Sequence, residues 1–598
     1  MRSAMLKERA ASALRRIADF CRPSVQFLTR MKLVVIGHEE LTAIVFWAAL
    51  IGILGAFASV IFREGIHLFQ WALTGEYGSL EHVASTRVGI RRAIVPIIGG
   101  LGAGLVLQYG AKFLGDARSV DYMEAVVVGD GVIGARPTLL RSIASLLSIA
   151  SGGSIGREGS MVQLSALVGS KVGLYNRAPT PRRRLLAACG AAAGIASAYN
   201  APIAGALFVA EIVMGSYAME SFGPLLVSSV TADATIHRML GYGPVFQIPA
   251  FHFGDNWELI LYALLGVFLG HLSPPFVALL EWSKVRFAAL RMPQFMKLGL
   301  GGLIVGIVSL RFPQVWGNGY GIVDSIMHDR LAGTLLLAVL LAKVLSTAST
   351  VGSGAVGGVF TPTLFVGSAV GALFGGVMHF LLPQVVSEAG AFAVVGMGGF
   401  LAATTHAPLT SVLMIFEMTL DHEVVLPLIL ACVIAHYVAK VYRGGASIYQ
   451  HHLMPAHDGA VADWGAKTVG EIIKPAAAVA GEADTMAAVL AKMPRRPARR
   501  VYLVNKDQEL VASLDPAAIR ERIKKRELDP GTPAIDVSTP AKTVLTPDQS
   551  LTAALELFLR EKATVLPVVA GQWRTTLLGE VTRHDLLLAL QDRIAGKH

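Results

Sequence analysis

A chain of 598 residues is too long for one compact domain, and its composition is that of a membrane protein, with 53% hydrophobic and only 16% charged residues. A soluble chain of this size would need far more charge to cover its surface. The formal net charge of +10 is spread through termini and loops, so no nucleic-acid partner is expected. The three cysteines (Cys21, Cys189, Cys432) are too far apart for a disulfide framework or a cysteine metal site, so no metal is expected.

Residues 1–40 are basic and amphipathic, carrying Arg2, Lys7, Arg9, Arg15, Arg16, Arg22, Arg30 and Lys32 ahead of the first apolar run. They lack the short apolar core of a cleavable signal peptide. The positive-inside rule puts them in the cytoplasm, so a multi-pass cell-membrane protein with both termini cytoplasmic is expected. Apolar segments then run to about residue 452: Thr42–Phe62, Ala93–Gln108, Leu186–Ala198, Trp257–Val277, Leu298–Leu310, Leu335–Leu345, Leu364–Leu382 and Val424–Ala439. Several fall short of the ~20 residues that cross a bilayer, and several are broken by Gly or Pro. Such half-helices survive at membrane depth only where they are buried or line a polar cavity, and they point to transport sites.

The same stretch repeats itself. NAPIAGALFVAEIV (residues 200–213) and HAPLTSVLMIFEMT (406–419) share Ala-Pro, Leu and Glu at one constant spacing, which Gly190 and Gly396 and then Ala196 and Ala402 also obey. Upstream, SIGREGS (154–160) faces AVGGVFT (355–361). A duplicated membrane unit is expected, with its site where the halves meet.

Two motifs carry chemistry. In GREG (156–159), glycines flank an ionisable pair at membrane depth, a costly placement that argues for function. If a helix starts there, its free amides form an anion site. The Glu158 carboxylate would then compete with an anion and leave on protonation. The alternative is a surface loop in which Arg157 and Glu158 pair with each other. GGVFTP (357–362) takes the matching place, with Pro362 in the first turn and the amides of Val359 and Phe360 open to an anion; alone it would be a common Gly/Pro turn.

After about residue 457 charge rises, apolar runs shorten and a β-α pattern appears. Arg500–Val504 and Val565–Val569 read as short buried strands, and Thr485–Ala491 and Ser550–Lys562 as amphipathic helices. Arg520–Glu527 reads as a solvated helix or linker.

GREG, GGVFTP, GAAAGIASAYNAPIAGALFVAE and SIYQ together resemble the CLC family of chloride channels and chloride–proton antiporters, over roughly residues 40–455. The resemblance implies an all-α polytopic, inverted-repeat fold, a homodimer with one pore per subunit, and chloride (or a similar small anion) as the transported ligand. It implies Glu158 as the gate, flanked by Arg157 and Gly159, with Val359, Phe360 and Tyr449 (of ASIYQ) around the central anion. An interfacial belt role is the ordinary alternative for Tyr449. The tail resembles a pair of CBS domains, α/β in class, with ATVLPVV and LLGEVTRHDLL as the second copy. There Thr582 and Asp585 match a pattern that can bind an adenosine nucleotide; the first copy, with Ser513 and Asp515, does not match. A dimerisation module without a ligand is the competing reading. No other cofactor is implied. The divisions expected are 1–40 (cytoplasmic segment), 41–455 (membrane domain) and 456–598 (cytoplasmic CBS pair).

Three departures from the family pattern stand out. The Gly-Ser-Gly-Ile-Pro element is replaced by GDARSVDYMEA (115–125), so Arg118 or, one residue on, Ser119 takes the place of the serine ligand. The second of two successive glutamates is Ile212, which cannot carry a proton, so Glu211 stands alone. This favours passive conduction, or exchange by another inner proton route. Glu211 and Glu417 are expected to be structural carboxylates at helix ends. Ser160 replaces a frequent proline and, as a good helix-start residue, should change little. The adjacent His451 and His452 would point apart on a helix and suggest no metal site. A CBS-regulated metal-cation transporter would need clustered carboxylates. An enzyme would need a nucleophile–base or phosphate-loop constellation. Neither feature is visible, so the protein is not expected to be an enzyme.

Overall fold

The computed structural model describes residues 40–443, 448–449 and most of 468–586, apart from short stretches such as 115–119, 249–256, 493–499 and 516–518. The chain divides into two compact units at Pro455–Ala456.

The first unit is helical. Its elements are α1 (Glu40–Thr74), α2 (Leu80–Thr86), α3 (Ile90–Leu114), α4 (Tyr122–Val127), α5 (Ala135–Ala150), α6 (Glu158–Tyr175), α7 (Thr180–Tyr199), α8 (Pro202–Phe208), α9 (Met219–Leu240), α10 (Glu258–Ala289), α11 (Gln294–Arg311), α12 (Tyr320–Met327), α13 (Gly333–Gly352), α14 (Phe360–Leu381), α15 (Ala389–Thr405), α16 (Pro408–Thr419) and α17 (Val425–Arg443). A π-helical turn, Val209–Met214, continues α8. Among the described residues seven helices are long and apolar enough to cross a membrane: α1, α3, α10, α11, α13, α14 and α17. The others are shorter or less apolar, as their Gly- and Pro-broken sequences dictate.

The packing is that of a duplicated unit. Helix α1 lies on α9 as α10 lies on α17, and α6 lies on α7 as α14 lies on α15. Helices α3 and α11 pack on each other, and so do α8 and α16, joining the halves. Gly190 and Gly396 show why small residues recur. A Cβ would sit 2.2 Å from the Ser165 carbonyl oxygen at one and 2.4 Å from that of Gly367 at the other. Close backbone approach is what drives helix association where lipid removes the hydrophobic force. Asn200 and His406, at the same repeat position, both take the left-handed conformation (φ 50° and 59°). The alanines after them match as well, at φ −132°, ψ 79° and φ −125°, ψ 76°.

The second unit holds two halves with one topology. In the first, β1 (Val479–Gly481) runs parallel to β2 (Val501–Val504), which pairs antiparallel with β3 (Leu510–Leu514) and then β4 (Thr539–Pro540). In the second, Leu545 bridges parallel to Val568 in β5 (Val565–Val569), which is antiparallel to β6 (Leu577–Thr582). A helix, Met486–Lys492 or Leu551–Arg560, follows each first strand and packs on it through Met486 and Val489 or Leu551, Ala554 and Phe558.

Candidate functional site

The site forms where the GREG and GGVFTP segments meet. Gly156 and Gly358 exchange two backbone hydrogen bonds, 2.7 Å from the Gly156 amide and 2.8 Å from the Gly358 amide. This one-residue ladder sets the first turns of α6 and α14 side by side. Their unbonded amides and positive dipole ends therefore gather at one place. The close approach requires glycine, since a Cβ on Gly357 would lie 2.8 Å from the Gly156 carbonyl oxygen.

Glu158 is the first residue of α6 and only 4% exposed. A surface Arg157–Glu158 pair is thereby overturned: the carboxylate turns inward. Its Oε1 accepts a hydrogen bond from the hydroxyl of Thr361, in the first turn of α14. The carboxylate also lies close to the amides of Arg157 and Glu158, while Oε2 makes no regular hydrogen bond to a described residue. A Cβ on Gly156 would lie 1.8 Å from Oε2, so that glycine makes room for the folded-back side chain. The guanidinium of Arg157 sits 5.6 Å over the ring of Tyr320.

Aromatic rings wall the site. Tyr199 lies 4.8 Å from Phe360, Phe360 6.1 Å from Phe208, and Phe208 5.6 Å from Tyr449. Tyr449 is held near α15 by the neighbouring Ile448 amide, which donates to the Thr404 carbonyl at 3.0 Å. Glu158, Gly159, Val359, Phe360 and Tyr449 are thus brought together, although the last lies almost three hundred positions from the first. Ser119 and Arg118 lie outside the described residues, as do His451, His452 and Arg520–Glu527. Sequence reading passed over Thr361, although GGVFTP contains it, and assigned no role to Tyr199 or Tyr320.

Glu211 and Glu417 are reciprocal caps. Glu417 accepts from the amides of Ile203 (3.0 Å) and Ala204 (2.8 Å) at the start of α8. Glu211 accepts from the amide of Thr410 at 2.8 Å, and from its hydroxyl, at the start of α16. Each repeat thus caps the other's half-helix. Among the described residues no group of three or more His, Cys, Asp or Glu is placed to hold a metal ion.

In the second unit Thr582 and Asp585 touch. The Thr582 hydroxyl donates to Asp585 Oδ2 at 2.8 Å and accepts from the Asp585 amide at 3.0 Å. Asp585 Oδ1 lies 2.7 Å from Lys474 Nζ.

The family model described as voltage gated chloride channel matches residues 99–440, and the CBS domain model matches 534–592. A putative chloride channel protein ClcB-like of Ralstonia nicotianae is 51% identical over 415 residues, spanning 69% of this chain and 96% of that protein. The voltage-gated ClC-type chloride channel ClcB of Salmonella typhimurium is 41% identical over 414 residues, 68% of this chain and 97% of its own length. Among solved structures, a slow cyanobacterial Cl−/H+ antiporter superposes with a TM-score of 0.62 at 26% identity, covering 70% of this chain and 97% of that one. A eukaryotic CLC transporter gives a TM-score of 0.63 at 18% identity, covering 91% and 98%; at that identity the likeness concerns the fold.

Proposed function

Because the chain belongs to the voltage-gated chloride channel (CLC) family, we propose that it conducts chloride passively, with the Glu158 side chain as its gate. The observation that carries this reading is the Glu158 carboxylate, buried between the starts of α6 and α14 and bonded to Thr361. Two helix dipoles favour negative charge there, and a carboxylate supplies it until an anion replaces it. In this reading Gly159, Val359 and Phe360 offer amides and Tyr449 a hydroxyl to the permeating ion. Arg157 raises the local anion concentration at the outer mouth. Neutral donors bind the ion yet release it, as conduction requires.

Passive movement is favoured over exchange by Ile212, which has no proton to give, and by Glu211, whose carboxylate is tied to Thr410. A second reading is chloride–proton exchange through another inner route, supported by likeness to the cyanobacterial Cl−/H+ antiporter. Chloride and proton fluxes recorded together in liposomes separate the two. Passive conduction gives chloride efflux with no stoichiometric proton movement, and uphill proton pumping at a fixed ratio would overturn it.

We further place the protein as a homodimer in the cell membrane with both termini cytoplasmic, a reading supported by the basic residues before α1. The CBS region serves there as a structural module. The support is Asp585, the residue that would meet a ribose, which is already engaged by Lys474 and Thr582. Adenosine nucleotides binding tightly to the intact protein in calorimetry would contradict that.

A further inference from the structure

Two phenols stand beside the gate with no part in the reading above. Tyr199 ends α7 and Tyr320 begins α12. Tyr199 packs on Phe360 at 4.8 Å, and Tyr320 lies beneath the Arg157 guanidinium at 5.6 Å. Phe360 and Arg157 are the residues immediately before Thr361 and Glu158, the two side chains that hydrogen-bond across the site. Each tyrosine is thus wedged against the start of one of the two converging helices.

Tyr199 is 1% exposed, and the hydroxyl oxygens of Tyr199 and Tyr320 are both buried with no hydrogen-bond partner among the described residues. Glu158 Oε2 shares that condition. Both phenols lie within charge reach of the Glu158 carboxylate and within reach of the Thr361 hydroxyl. Buried hydroxyls are nearly always hydrogen-bonded, and a phenol has a proton to donate. Two such donors, one from each repeat and both beside the buried Glu158 carboxylate, are suited to a negative ligand.

We propose that Tyr199 and Tyr320 are anion ligands of the outer site: when the Glu158 carboxylate leaves, an incoming chloride accepts hydrogen bonds from both phenols. This rests on Glu158 being the gate. The site would then bind chloride through neutral O–H donors from both halves of the molecule in addition to the helix-start amides. The ion would be held by tyrosine at its outer position as well as at its inner one.

The test uses the full-length purified protein carrying Glu158→Gln, in which the competing charge is gone, with chloride affinity measured by titration calorimetry. Adding Tyr199→Phe or Tyr320→Phe should weaken chloride binding about tenfold each, the scale of one lost hydrogen bond to a charged ligand. Phenylalanine keeps the ring that packs on Phe360 or under Arg157, so the fold is retained. As a second readout, bromide soaked into crystals of the Glu158→Gln protein should scatter anomalously beside the two phenols and lose that peak in the triple variant. Unchanged chloride affinity or an undiminished bromide peak in the triple variant would overturn the proposal. So would Tyr→Phe changes that alter flux only while Glu158 is present. Failure of the gate reading would show separately, as Glu158→Gln leaving the pH dependence of flux intact.

Discussion

At the scale of single residues, the proposed function turns on the Glu158 carboxylate and on Gly156, which makes room for it. In the proposed reading, Glu158 blocks the anion position only while it is charged. Protonation removes the charge that the helix starts attract, so chloride flux should rise as pH falls. Replacing Glu158 with Gln or Ala should fix flux at its acidic level across the whole range, read as halide efflux from liposomes at stepped pH. A variant that kept the parent's pH profile would remove Glu158 from the mechanism. Gly156→Ala tests the same geometry from the other side. Its methyl would sit 1.8 Å from Oε2, so the carboxylate must move out, and flux at neutral pH should exceed that of the parent. Glu158 was legible because an ionisable residue between glycines at membrane depth has few structural explanations. Tyr199 and Tyr320 were not, because an aromatic in a Gly/Ala-rich helix or at a helix start has a ready place in the core. Only their orphan hydroxyls, visible in three dimensions, set them apart.

At the scale of elements, the two half-helices α8 and α16 depend on carboxylates borrowed from each other's repeat. Too short to be stable alone, they begin with Ala-Pro and no side-chain cap of their own. Glu417→Ala would orphan the Ile203 and Ala204 amides. That should cost about 1–2 kcal/mol, the usual worth of a helix cap. The cost should appear as a lower unfolding temperature in detergent, with Glu417→Gln milder because one amide can still be accepted. The repeated Glu was visible in the sequence, but its partner was not, since each cap reaches some two hundred positions along the chain. A second buried device escaped sequence reading altogether. Lys343, fully buried in α13, donates to the carbonyls of Val315 (2.9 Å) and Gly317 (2.7 Å). Glu81 lies within charge reach of it and accepts from the Gly321 amide at 3.2 Å. The pair braces the turn that leads into Tyr320. Lys343→Met would leave the Val315 and Gly317 carbonyls without their donor and the partly buried Glu81 without a nearby positive charge, and should cost about 1–3 kcal/mol. Changing Glu81 to Leu as well should recover only the charge part of that loss, and thermal unfolding of the two variants measures both. A lone lysine in an apolar helix reads as a snorkelling side chain, so the sequence alone pointed away from this role.

At the scale of the whole molecule, the membrane unit and the tail are separable pieces of physics. The membrane unit shows its duplication in sequence because the same packing problem is solved twice, with glycine at each close crossing and Ala-Pro at each half-helix start. The tail shows its second CBS copy most clearly, because β5 is a continuous buried apolar run and LLGEVTRHDLL follows it with the Thr and Asp of the family pattern. The first copy lacks that Thr/Asp spacing, and its kinship shows when β1, β2 and β3 are seen to repeat the pairing of Leu545, β5 and β6. The two halves of the tail carry their own cores around Met486 and Leu503 and around Phe558 and Val568, so tail and pore need not fold as one. The ClcB-type relatives point the same way. The Ralstonia protein is matched over 96% of its own length by only 69% of this chain, so a chain of that size makes a complete protein in the same family. Removing residues 456–598 should therefore leave a folded membrane unit whose chloride efflux, and whose dependence on Glu158, match those of the intact protein in liposomes of the same composition. A truncated protein that is monodisperse in detergent yet carries no chloride would mean that the tail holds the pore open, and that CBS packing belongs to the conduction mechanism itself.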